Sequence, residues 1–338
     1  MTSSLDSFKS TLDRLFAQEL PGSERHDRAR DVLKPMVADP SVLEAIIKRN
    51  LEEPGFFLRT RDNPVIALKC FEEPAYTLVV NCWLPRPDRR TDISHQSIHH
   101  HGHLLLTSIS AFGPGYESIL FRKGFKVDRH TKAATIEIEK IYRNRYGHLE
   151  FVDSFTPHIV FYPPSVTVTY ALWSNEAIGS NGDRGLLYSL KKNPFIRKYR
   201  RQLKSAMAVL GFEAALGLND SQNLDFYPEN GRIRQMQRRM QYKPGGAPRE
   251  NLSQNFMYFL RETKFQDMDF IARLRERLSQ EEQRVAGRWL TDFLSDFPIS
   301  DSFDPEHLHI DKVTLNKEDI LGCFENSLKR LAHTSTQD

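Results

Sequence analysis

The chain has 338 residues, a net charge of +3, 39% hydrophobic and 27% charged residues. That balance belongs to a globular protein able to bury a sizeable core, and it makes no overall case for binding nucleic acid or a membrane surface. Three cysteines, Cys70, Cys82 and Cys323, are too few and too scattered for a disulfide framework or a cysteine-rich zinc site. The N-terminus lacks the basic start and apolar stretch of a signal peptide, and no apolar run approaches a membrane span. A reduced, cytoplasmic setting is the expectation.

Residues 5–50 read as helices. Leu5, Phe8, Leu12, Leu15 and Phe16 keep a helical stripe with Ser4 as cap, Pro21-Gly22 ends it, and Val42, Ile46 and Ile47 mark a short helix after Asp39-Pro40. From about 55 to 175 the period changes. Strand-like runs occur at 56–58, 65–68, 77–84, 103–109, 118–121, 134–139, 159–162 and 166–173, with turn residues between them. Eight or so short strands predict an antiparallel barrel or jelly roll. A Gly/Ser/Asn-rich stretch at 176–186 reads as a linker or loop. Beyond 187 the pattern predicts helices over 196–217, 232–242, 252–262, 267–297 and 317–332. The division is therefore N-terminal helices packing on the barrel (1–54), the barrel (55–175) and a mainly α-helical C-terminal region (187–338). The class is α+β.

The richest chemistry lies in Ser97-Ile98-His99-His100-His101-Gly102-His103. A His-x-His on a strand puts both imidazoles on one face, because side chains alternate. His99 and His101 form such a pair; His101 and His103 are spaced alike, so His103 is a third candidate, and His100 points the other way. His158, before Tyr162-Pro163-Pro164, could complete a facial set. Where a Glu ligand would follow the His-x-His, the chain has Leu105 and Leu106, so an all-histidine set of His99, His101 and His158 fits better. Imidazole suits several transition metals, so ligand type alone does not select one. A neutral three-histidine set leaves a ferrous ion its full charge and favours an anionic substrate beside dioxygen.

Four pieces of sequence resemble the cupin superfamily, and within it the cysteine dioxygenase-like (thiol dioxygenase) group. They are the apolar run Leu78-Val79-Val80-Asn81-Cys82-Trp83, the metal strand Ser97-Ile98-His99-His100-His101, the run Gly115-Tyr116-Glu117-Ser118-Ile119-Leu120-Phe121, and His158 at the third-histidine position. The likeness covers roughly residues 40–175. It implies a cupin-type antiparallel β-barrel (jelly roll) with Fe(II) held by His99, His101 and His158. It also implies an arginine upstream of the barrel that binds the substrate carboxylate; here that is Arg59 or Arg61, since a guanidinium pairs a carboxylate bidentately. The chain departs from the group near Leu106, where the crosslinking cysteine is missing, and at 166–173, where the Ser-x-His-x-Tyr motif has no clean counterpart. Tyr162, Tyr170 and His103 are the remaining candidates for orienting ligands or moving protons.

The expected function is thus a non-haem Fe(II)-dependent, O2-using oxidoreductase acting on a small amino or carboxylic acid or a thiol. Two alternatives stay open: a non-enzymatic binding or regulatory protein with a structural metal, and a Zn- or Mn-dependent hydrolase or isomerase. Basic runs at 191–204 and 232–239 read as solvated helix faces. Phe256, Phe259, Leu260, Phe270, Leu274 and Leu278 read as core. His307-Leu308-His309 repeats the His-x-His spacing with no third ligand or strand pattern beside it. No nucleophile elbow, P-loop or dinucleotide fingerprint is present, and no oligomeric state follows from the sequence.

Overall fold

The computed structural model describes residues 4–59, 65–85, 98, 100–123, 133–134, 136–175, 225–229, 232–236, 241–242, 249–299, 308–309 and 317–334. Four helices come first: α1 (Ser4–Phe16), α2 (Gly22–Arg28), α3 (Arg30–Ala38) and α4 (Pro40–Leu51). Strands follow: β1 (Val65–Glu72), β2 (Tyr76–Trp83), β3 (Leu104–Phe112), β4 (Glu117–Phe121), β5 (Ala133–Ala134), β6 (Ile138–Arg143), β7 (Leu149–Val152), β8 (His158–Val160) and β9 (Thr167–Asn175). Beyond them lie β10 (Asp225–Glu229), β11 (Arg232–Met236), β12 (Gln241–Tyr242), α5 (Arg249–Glu262), α6 (Met268–Arg277), α7 (Gln280–Leu294), β13 (Leu308–His309), α8 (Lys317–Cys323) and α9 (Glu325–Thr334).

Local chemistry sets several boundaries. Asp39 caps α4 by accepting the Ser41 N–H at 3.0 Å, with Pro40 as first helical residue. Ser279 and Glu282 form a reciprocal capping box that starts α7. Among the described residues no helix is long and apolar enough to cross a membrane.

The barrel consists of two antiparallel sheets, β1-β2-β9-β3-β7 and β6-β4-β8. The chain passes from β3 in the first sheet to β4 and β6 in the second. It returns for β7, crosses again for β8 and comes back for β9. That alternation is the jelly-roll arrangement of a cupin-type barrel. In an antiparallel ladder directly paired residues share a face, so the pairings assign inside and outside. Leu106 pairs with Trp173 and Val152, and packs on Leu120, Tyr142 and Val152 between the sheets. These are interior positions. Leu78, Val80, Cys82, Val168, Tyr170 and Leu172 take the opposite face and join the helices in a single core with Leu12, Leu33, Ile46, Phe256, Phe259 and Leu290.

Helices therefore flank the barrel on both sides. The segments before and after the strands, α1–α4 and α5–α7, share the core over the five-stranded sheet. Helices α8 and α9 cover the three-stranded sheet, placing Ile320 and Phe324 against Ile119, Phe121 and Ile159. There the Ser327 hydroxyl accepts the Ile138 N–H at 2.7 Å and Arg330 pairs with Glu137. Two polar bolts tie the N-terminal helices to the large sheet. Asn50, fully buried, donates to the carbonyls of Ile46 and Lys69 and accepts the Lys69 N–H, all between 2.8 and 2.9 Å. His26, 1% exposed, places Nδ1 2.7 Å from the Thr107 hydroxyl and Nε2 2.8 Å from the Ser174 hydroxyl.

Some local expectations are overturned. Residues 56–58 form one 3₁₀ turn rather than a strand; Gly55 enters it at φ 74°, and Phe56 and Phe57 are both buried, ring against ring. Within the expected helix at 232–242, residues 232–236 are a strand instead, β11, which pairs with β10 as a hairpin and with β5, and 241–242 are β12. The stretch 267–297 is two helices, because Leu278 leaves the helical region and Ser279 restarts it. Likewise 317–332 divides between α8 and α9. The expected helix at 196–217 and the linker at 176–186 lie outside the described residues.

Candidate functional site

The histidine run does not continue as a strand. Gly102 sits at φ 61°, the left-handed region that glycine enters without a Cβ clash, and turns the chain between His101 and His103. The expectation that His101 and His103 share one strand face therefore fails. His101 faces inward and His103 is exposed. His100, expected to point away, is buried, with its Nδ1 accepting the Gly102 N–H at 3.0 Å. His99 lies outside the described residues.

His158 pairs with Leu120, an interior position, so the first residue of β8 points into the barrel. There its ring meets that of His101, centroid to centroid 4.6 Å, and the Trp173 ring stands perpendicular to that of His101 with centroids 4.7 Å apart. Two imidazoles sharing one ion through metal–nitrogen bonds of about 2.1 Å have centroids roughly 4.5–5 Å apart, a range that includes the spacing of this pair. The His158 Nδ1–H donates to the Thr156 carbonyl at 3.0 Å. That bond fixes the tautomer and leaves the lone pair on Nε2. Burial pushes the His158 pKa down to about 4, against the opposing effect of the Thr156 bond, with nearby His100 adding to the depression. Burial lowers His100 as well. His158 is neutral at neutral pH, the form a metal requires. Among the described residues no three His, Cys, Asp or Glu side chains converge, so a three-histidine set needs His99.

The turn between β7 and β8 is tied to the histidine run. Asp153 accepts the Ser154 N–H on its carboxylate and the Thr156 N–H on its carbonyl, and it pairs with Lys123. Phe155, within this turn, is held at φ 55°. A non-glycine residue there costs about 1–3 kcal/mol and persists only where its surroundings impose it. Here the Phe155 N–H donates to the Gly102 carbonyl at 2.7 Å, and the ring lies 5.5 Å from that of His100 and 4.6 Å from that of His103.

The other expected site residues scatter. Tyr162 follows β8 and its ring lies 6.0 Å from Trp83, whose Nε1–H donates to the Thr169 hydroxyl inside the barrel. Tyr170 lies on the helix-covered face of β9, in the outer core, so the sheet separates it from His101 and His158. Arg59 pairs with Glu53 and stacks over Phe56 at 5.3 Å, in the helical layer. Arg61 lies outside the described residues. Glu117 faces the outer side of β4 and takes Lys317 Nζ at 2.7 Å.

Sequence reasoning missed the hydroxyls nearest the interior. Tyr116 OH lies 3.1 Å from Ser108 Oγ, and Asn144 Nδ2 donates to both, at 3.0 and 3.1 Å. Asn144 Oδ1 is buried with no partner among the described residues. Burial raises the pKa values of Tyr116 and of neighbouring Tyr142, so both hydroxyls stay protonated. The only available signal was alternation: Ser108 is two residues from Leu106 on the inward face of β3.

No family model and no curated protein matches the chain. Solved structures do. A double-stranded beta-helix domain protein from Klebsiella pneumoniae is 14% identical, covers 36% of this chain and 85% of its own, and gives a TM-score of 0.23. A Cupin 2 conserved barrel domain protein from Salinispora arenicola is 14% identical, with 36% and 84% covered and a TM-score of 0.23. A DMSP lyase from Ruegeria pomeroyi is 11% identical, with 35% and 53% covered and a TM-score of 0.23. Similarities this low carry nothing about activity, and the fold assignment stands on the strand order.

Proposed function

We propose that this chain is a non-haem iron protein that uses dioxygen on a small amino or carboxylic acid or a thiol. His99, His101 and His158 would hold the metal. The observation that supports this reading is the His101–His158 pair inside the barrel, 4.6 Å apart, with the His158 tautomer fixed by Thr156. Bound there, ferrous iron would supply the activation of dioxygen next to a chelated substrate.

The protein's own contribution is positional. The Thr156 carbonyl aims His158 Nε2, and the perpendicular Trp173 ring packs against that of His101. Arg61 is our candidate for binding the substrate's carboxylate, since Arg59 is engaged with Glu53. Tyr162, on the interior side of the chain after β8, is our candidate hydroxyl for holding or moving a proton, more so than Tyr170 or His103.

The test is metal content of protein purified anaerobically, for wild type and for His99→Ala, His101→Ala and His158→Ala, with circular dichroism to confirm folding. One iron per chain in wild type, lost in each variant, is expected. No metal after reconstitution with Fe(II) would overturn the reading and leave a non-enzymatic binding protein. Turnover that persists with Zn or Mn in the absence of oxygen would point instead to a hydrolase or isomerase.

A further inference from the structure

We propose that Phe155 is a positioning residue for the candidate metal site: its ring braces the His100–His103 turn, and so sets the angle at which His101 meets His158. The proposal rests on the reading of that pair as metal ligands.

Three observations converge on Phe155. First, its backbone is held in the left-handed region at φ 55°, although Phe gains nothing locally from that conformation. Second, the conformation brings its N–H to the carbonyl of Gly102, the residue that turns the histidine run, at 2.7 Å. Third, its ring lies beside both His100 and His103, on either side of His101 and Gly102, while remaining 38% exposed. A phenylalanine needed only for core packing would be buried and unstrained.

The same turn carries His158. Thr156 follows Phe155 and supplies the carbonyl that fixes the His158 tautomer. One four-residue turn thus reaches His158 directly and His101 through its neighbours: Thr156 orients His158, and Phe155 packs on His100 and His103 and bonds Gly102. Neither sheet provides this coupling directly, because His100 to His103 lie in no strand. Without the ring the turn keeps its backbone bonds at Gly102 and Leu104 but loses the side-chain support on both flanks of His101.

The probe is Co(II), followed by its d–d absorption, in wild type, Phe155→Gly, Phe155→Tyr and His158→Ala. Glycine accepts φ 55° and preserves the bond to Gly102, so Phe155→Gly removes the ring alone. It should weaken Co(II) binding by about tenfold or more, the range seen when groups supporting ligands are lost, and shift the absorption band, while circular dichroism shows the metal-free protein still folded. Phe155→Tyr keeps the ring and should restore wild-type binding within about twofold. Phe155→Gly binding as tightly as wild type with an unchanged spectrum, while His158→Ala fails to bind, would overturn the proposal. Equal weakening in the Gly and Tyr variants would overturn it too. Absence of Co(II) binding by wild type would remove the metal reading itself and this proposal with it.

Discussion

His26 makes a pH-dependent contribution to folding whose size follows from its surroundings. The ring is buried between α2 and the large sheet, bonded to two hydroxyls and flanked by Phe16 and Phe151. Burial, with a smaller repulsion from Arg25, lowers its pKa from 6.5 to about 4. An unfolded chain takes up a proton near pH 6.5; the folded chain refuses it until about pH 4. The contribution is therefore complete above about 6.5 and is lost as pH falls toward 4, with an upper limit of about 3.5 kcal/mol from the gap between 6.5 and about 4 at about 1.4 kcal/mol per unit. Urea unfolding of metal-free wild type and His26→Gln across about pH 7.5 to 4.5 isolates this contribution, because His100 and His158 titrate in both proteins. At the upper end His26→Gln should be less stable by about 1–3 kcal/mol, the cost of disturbing the two buried hydroxyls. Toward the lower end the difference should shrink by roughly 2 kcal/mol. A difference that stays constant over the whole range would refute the account.

Two further substitutions probe the frame. Gly115 has φ 78°, and a Cβ there would overlap the Asn144 carbonyl, so Gly115→Ala should cost about 3 kcal/mol or more and lower the melting temperature sharply; a melt indistinguishable from wild type would contradict the assigned turn. Asn50→Leu fits the site by size but strands the Lys69 N–H and C=O beneath α4, so a loss of about 2–4 kcal/mol is expected in denaturant unfolding, and a neutral result would mean that Asn50 is not the tie between α4 and β1.

The strands that bury an apolar face could be read from sequence. β2, β3 and β9 alternate or run apolar because one side meets the helices, and their predicted spans nearly coincide with the structure. β6 and β7 could not be read that way: Glu139, Lys140, Arg143 and Glu150 interrupt the pattern, and Glu150 is tolerated on an inward register position only because Lys140 and His148 pair with it. The arginine-rich β11 resembled a helix because its charges mask the alternation, and pairing with β10 outweighed local propensity. Likewise the histidine run reads as one strand, and the turn at Gly102 reverses the expected directions of His100 and His103. Tyr170 is a candidate hydroxyl from the run at 166–173; its parity along β9 puts it on the helix-covered face, whereas Trp173, three residues on, reaches His101.

The position of β9 has a consequence for how the molecule is made. It is the last strand of the barrel in chain order, yet it lies between β2 and β3, which do not pair with each other. Until residues 167–175 have been synthesised, both neighbours present unpaired backbone edges beside an apolar face whose cover includes Phe256 and Phe259, which arrive later still. Such edges are templates for wrong pairing between nascent chains. The sheet cannot be completed until its central strand has been made, so β2 and β3 must stay unpaired with each other until residues 167–175 are available.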